Sequence, residues 1–190
     1  MVRNPLLVVP LGALVSLLGV GLGWAGDPCV SGLSVGKKPG PYSFLVATGP
    51  QRGQSTCYIC ETGEKPAVIV FARTPNDALG KLVSALDKAV TDHKAADLHG
   101  WVTFLGDGAE GFEDKIVKWG RDHAIRALPL GIFEDADGPP GYKLARDADV
   151  TVLLFTKHQV VANFAFRAGE LNDDRVKEIM KAVPDLVPKK

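Results

Sequence analysis

Past residue 25 the sequence contains no apolar run long enough to cross a bilayer, since a spanning helix needs about 20 such residues. It has no surplus of either charge. The 22 Lys and Arg residues balance 22 Asp and Glu, which removes the electrostatic signature of a nucleic-acid or anionic-lipid binder. It has only three cysteines, Cys29, Cys57 and Cys60, so a closed zinc site, which needs four ligands, lacks its second Cys-x-x-Cys pair. Only a symmetric dimer, or a ligand drawn from His93, His99, His123 and His158, could complete one. Glu61 follows Cys57-Tyr58-Ile59-Cys60 where covalent c-type haem requires histidine, and that cofactor is excluded. No metal or organic cofactor is called for.

What is present begins with an export pattern. Arg3 supplies a positive start, Leu6 to Val20 form an apolar stretch broken by Pro10, and Gly23-Trp24-Ala25 offers small residues at a cleavage site. Residues 1–25 are expected to be a cleaved signal peptide, leaving 190 − 25 = 165 residues of one-domain length. The expected destination is the periplasm, envelope or exterior, where disulfides are permitted. An odd cysteine count leaves one thiol over, and Cys29, close to the new N-terminus, is expected to be that incidental thiol.

Residues 26–42, rich in Gly, Pro and Lys, read as an N-terminal arm before a domain at 43–187. Ser43 to Val46 and Thr56 to Ile59 flank a turn-rich Gly49-Pro50-Gln51-Arg52-Gly53 and suggest a hairpin. Ala67 to Ala72 (AVIVFA) is continuously apolar, as a strand buried on both faces must be. Thr74 is expected to cap a helix with Pro75 in its first turn, and Leu79, Leu82, Val83, Leu86 and Val90 give it an apolar stripe up to about His93. A strand at Trp101 to Leu105, ended by Gly106-Asp107-Gly108, precedes a helix marked by Phe112, Ile116 and Trp119. Leu130 to Phe133 is a third strand, and a helical turn is expected at Tyr142 to Arg146. Thr151 to Phe155 and Val160 to Phe166 form an antiparallel pair, and a last helix, capped by Asn172 or Asp173, stops at Pro184. The four histidines sit at turns or helix ends and are expected to be solvated. The alternation of strand and helix makes an α/β fold: a central mixed sheet with helices on both faces and an N-terminal β-hairpin.

This order resembles the thioredoxin superfamily, and more closely its peroxiredoxin-like branch. The likeness runs from about Gly32 to Val187 and is carried by GLSVG before the hairpin, KPAVIVFAR as the central strand, and TVLLFTKHQVVANFAF as the closing hairpin. The chain is also similar to exported bacterial thioredoxin-like proteins with a Cys-x-x-Cys ahead of the central strand. The resemblance implies thiol chemistry, yet the family's own site positions do not carry over. The thioredoxin cysteines would fall near Asn76 and Leu79, and the peroxiredoxin cysteine on Leu82. The cis-proline would fall near Val150-Thr151-Val152, and the peroxiredoxin arginine near Asp149.

The candidate catalytic residues are therefore Cys57 and Cys60, placed before the strand instead of after it. If Glu61 to Pro66 turns back on itself, Cys60 comes to lie near Ala67 and Cys57 near Val70, towards the carboxyl edge where open α/β sheets keep their sites. An extended tetrapeptide cannot close a disulfide, because residues three apart are then about 10 Å apart and the bond needs Cα atoms within about 7 Å. Tyr58 and Ile59 favour extension, whereas redox pairs curl into a helix start. Two glutamates oppose a thiolate, and Arg52, Lys65 or Arg73 would offset them if nearby. With Cys57 as the attacking thiol, the pair would exchange with a protein thiol or disulfide. The alternative is a non-catalytic binding or scaffold module with structural cysteines.

Overall fold

The computed structural model describes Met1, residues 27–106 and residues 109–187. Apart from Met1, the expected signal peptide lies outside the described residues, as do Asp107 and Gly108 of the expected strand terminator.

The apolar run Ala67–Ala72 is strand β3, buried along its whole length. It lies between β4 (His99–Leu105), to which it is parallel, and β6 (Ala148–Thr156), to which it is antiparallel. Outward from β4 come β5 (Leu130–Phe133), then β1 (Phe44–Val46), then the short β2 (Ser55–Thr56). β7 (Gln159–Arg167) closes the other side. The seven-stranded sheet has the order β2-β1-β5-β4-β3-β6-β7. The β6–β7 turn puts both Lys157 and His158 at positive φ, the backbone signature of a tight two-residue hairpin.

Both parallel crossovers, β3 to β4 and β4 to β5, step in the same direction, so a common handedness puts their helices on one face. These are α2 (Asp77–Asp92) and α3 (Phe112–Asp122), joined there by α4 (Asp173–Ala182). Strand alternation sorts the core accordingly. Val68, Val70, Val102, Phe104 and Val152 meet Leu79, Leu82, Leu86, Ile116 and Ile179 of these helices. Ala67, Ile69, Phe71, Trp101, Leu153 and Phe155 point the other way. That second face is covered by the arm, a five-residue helix α1 (Tyr58–Thr62) and a 3₁₀ turn at Pro140–Tyr142. Helices therefore occupy both faces, unequally.

The arm is fastened at several points. Asn163 donates from Nδ2 to the carbonyls of Ser31 and Leu33 at 2.8 and 2.9 Å, Ser31 Oγ lies 2.8 Å from Thr151 Oγ1, and Val160 exchanges backbone hydrogen bonds with Gly36 and Lys37.

Four local expectations are corrected. The α2 cap is Asn76, not Thr74: its Oδ1 accepts the Leu79 N–H at 2.9 Å, and Pro75 stands outside the helix. The turn expected at Tyr142 to Arg146 sits at Pro140–Tyr142, where the Tyr142 hydroxyl is anchored on the Gly40 carbonyl at 2.7 Å. After α4 a 3₁₀ turn, Val183–Leu186, runs through Pro184, which is tolerated in a first turn. His123 is only partly solvated. Its ring lies over Gly80, where a Cβ would collide with it, and beside the Trp119 ring at 5.2 Å, with 22% of the side chain exposed.

Candidate thiol-disulfide site

The β2 strand stops at Thr56, and the chain curls at once. Cys57 is the N-cap of α1, and Cys57 and Cys60 are joined in a disulfide with Cα atoms 5.3 Å apart. The closure condition is met by helix, not strand. Cys57 Sγ accepts the Cys60 backbone N–H at 3.3 Å, a donor it shares with the Cys57 carbonyl oxygen at 3.0 Å. Gly63 ends the helix with φ of 60°, a conformation glycine adopts without steric penalty. The local β-propensity of Tyr58 and Ile59 is overridden by burial: Ile59 is buried, and the Tyr58 ring packs 5.5 Å from Phe44 and 5.6 Å from Trp101.

The expected register against β3 is overturned, because both edges of β3 are already occupied by β4 and β6. The helix instead leads into the start of β3 through residues 63–66. It borders a cleft of about 360 Å³ shared with Gln51, His99, Trp101 and Pro129. His99 and Trp101 open β4. The disulfide therefore belongs to the amino-terminal edge of the parallel strands, opposite the edge that the turn-back argument proposed.

Beneath α1 lies an aromatic floor. Trp101 donates from Nε1 to the Tyr42 hydroxyl at 2.8 Å, and that hydroxyl lies 2.8 Å from Thr103 Oγ1. Burial raises Tyr42 well above the usual phenol range, partly offset by the Thr103 and Trp101 hydrogen bonds. Tyr58 is pushed up to about 12 by burial first and by the Glu61 charge second, so both rings are neutral near neutral pH. Tyr58, Trp101 and Gln51 were not among the expected site residues. The signal for Tyr58 is that it and Ile59 are both large and largely apolar, residue types that a turn between the cysteines would pack inward.

None of the three expected cations is shown beside the sulfurs. Arg52 pairs with Glu113 at 3.7 Å and Lys65 with Asp97 at 2.8 Å. Arg73 is committed to the carbonyls of Ala136, Ala145 and Ala148. Glu61 accepts from Gln51 Nε2 at 3.1 Å. The described contact that favours a thiolate on this pair is the Cys60 N–H on Cys57.

At the carboxyl edge of β3, the positions to which the sequence resemblance would assign thiols are structural. Arg73 staples the 134–149 loop there, Asn76 caps α2 and its Nδ2 points at Asp149 Oδ2 at 3.4 Å, and Leu82 is fully buried. Cys29 is a free, half-buried thiol, and its pKa is raised by burial and by the charge of Asp147. Among the described residues, no three His, Cys, Asp or Glu side chains gather to hold a metal ion, and no helix is long and apolar enough to cross a membrane.

No family model matches the sequence, and no curated protein does. The fold does match. A candidate protein disulfide isomerase from Bacteroides thetaiotaomicron superimposes with a TM-score of 0.64 at 15% identity, covering 84% of this chain and 94% of that one. The chain has a thioredoxin-like fold. The thioredoxin domain of a Bacteroides vulgatus thiol-disulfide oxidoreductase matches at TM-score 0.53 and 14% identity, over 80% of this chain and 99% of its own. Mycobacterium tuberculosis AhpC matches at TM-score 0.55 and 14% identity, over 80% and 93%. The fold's neighbours thus include both thiol-disulfide oxidoreductases and peroxiredoxins.

Proposed function

We propose that the protein is an exported thiol-disulfide exchange protein whose working pair is Cys57–Cys60. The observation that carries this reading is the bond itself: a disulfide closed across one short helical turn, with Cys60 exposed to solvent and Cys57 half-buried. A partner thiolate can reach such a bond in line, and either sulfur can leave or return without a change in the surrounding sheet. The partner class is a protein or small-molecule thiol or disulfide. Export is supported by the Leu6-to-Val20 stretch with Gly23-Trp24-Ala25 behind it, and by a disulfide that persists in oxidising compartments.

The scaffold alternative draws on one observation. The edge where this fold usually works is occupied by Arg73 and Asn76, which make structural hydrogen bonds there. That rules on the old edge only and leaves α1 untouched. Insulin reduction by dithiothreitol separates the two readings. Exchange predicts a rate enhancement lost in both Cys57→Ser and Cys60→Ser and kept in Cys29→Ser. A scaffold predicts no enhancement by the unsubstituted protein.

A further inference from the structure

We infer that Cys60, not Cys57, is the sulfur that bonds to the partner, and that Cys57 is the leaving and resolving sulfur. This assignment rests on the exchange reading above and reverses the order expected from the sequence.

Two observations carry it. The first is access. Cys57 packs against the aromatic cluster together with Tyr58, whereas Cys60 is exposed. An incoming thiolate must approach along the line of the S–S bond, from behind the sulfur it attacks. Cys60 is open to solvent, whereas Cys57 is partly covered by that cluster. The second is the fate of the electron pair. Exchange is faster when the leaving sulfur is the better-stabilised thiolate. Cys57 Sγ already accepts the Cys60 backbone N–H at 3.3 Å, so charge arriving on Cys57 meets a donor in place. Access and leaving-group stabilisation point to the same polarity.

The steps balance as follows. A partner thiolate R–S⁻ attacks Cys60 Sγ. The R–S–Sγ bond forms, the Cys57–Cys60 bond breaks, and its electron pair goes to Cys57 as thiolate. A second partner thiolate then attacks the R sulfur and releases R–S–S–R, with the electron pair returning to Cys60, and the Cys57 and Cys60 thiolates each take up a proton from solvent. Two thiols are oxidised, and one disulfide is reduced to a dithiol. In the reducing direction the same path runs backwards. The Cys60 thiolate attacks the partner's disulfide, and Cys57 then displaces the partner from Cys60.

Glutathione on the unsubstituted oxidised protein tests this. Aliquots are quenched in acid within the first turnover, the free thiols are alkylated, and tandem mass spectrometry assigns the glutathionyl group among Cys29, Cys57 and Cys60. The expected result is an adduct on Cys60 with alkylated Cys57, outnumbering the reverse by at least tenfold. Equal labelling, or a majority on Cys57, overturns the polarity and leaves exchange standing. A disulfide that survives excess glutathione with no adduct overturns both.

Discussion

If Cys57–Cys60 exchanges electrons, breaking it must leave the fold standing, and the loop length sets how much stability is at stake. In the chain-entropy description, a cross-link removes about 2.1 + 1.5R ln n cal/mol/K from the unfolded chain. For the four residues from Cys57 to Cys60 this is about 6 cal/mol/K, or roughly 2 kcal/mol at 25 °C. Little else in the site need be lost beyond the packing of the Cys57 sulfur on the aromatic cluster. The hydrophobic anchors of α1 are Tyr58 and Ile59, and serine at position 57 still offers an oxygen to the Cys60 N–H. The double variant Cys57→Ser/Cys60→Ser is therefore predicted to lose about 2 kcal/mol, a shift of roughly 1 M in urea midpoint with an unchanged slope of about 2 kcal/mol/M. By the same cycle, the folded pair is about 40 mV harder to reduce than the unfolded one. The assay is urea unfolding of the oxidised parent and the double variant, followed by circular dichroism and Trp fluorescence. A loss beyond about 4 kcal/mol, or a lowered slope, would mean that the disulfide holds the second face together and is a staple.

Asp87 Oδ1 accepts the N–H groups of Arg126, Ala127 and Leu128 at 3.0, 2.7 and 2.8 Å. Asp87→Ala is expected to destabilise by about 2–4 kcal/mol in urea unfolding and Asp87→Asn by about half as much; a loss under about 0.5 kcal/mol for Ala would contradict that role. Gly80→Ala would ordinarily stabilise a helix by about 1 kcal/mol, but here the methyl meets the His123 ring. A net loss of about 1–3 kcal/mol is predicted, reversed to a gain when His123→Ala is added; the same sign in both backgrounds would refute the contact. Lys65, by its hydrogen bond, and more weakly His99 hold Asp97 below its ordinary value of 3.8. A group depressed on folding contributes stability above its unfolded pKa, and this is lost as pH falls through the folded one. The Asp97→Asn variant should therefore show a flatter loss of stability below about pH 4 than the parent.

The central strands were legible because they are apolar runs bounded by turn residues: β3 and β5 fall where AVIVFA and Leu130 to Phe133 put them, and the β6–β7 hairpin follows its short turn. The site was half legible. Spacing alone showed that a closed Cys57–Cys60 pair cannot be a strand, and the structure resolves that conflict in favour of helix. Its position was not legible, because the turn-back argument needed a free edge on β3, and pairing with β6, remote in sequence, removes that edge. Asn76 beat Thr74 as the α2 cap for a similar reason. Both can cap, but the Trp119 indole reaches across from α3 to the Asn76 carbonyl at 3.1 Å, a contact that no local pattern contains.

The reduction potential of Cys57–Cys60 bears on all of this at once. With the protein equilibrated in glutathione buffers of graded ratio and each cysteine followed by mass shift, exchange predicts a midpoint between about −270 and −120 mV, the span of thioredoxin to the strongest oxidants. A midpoint below about −300 mV, or a bond untouched across the series, would show a structural disulfide and contradict the account.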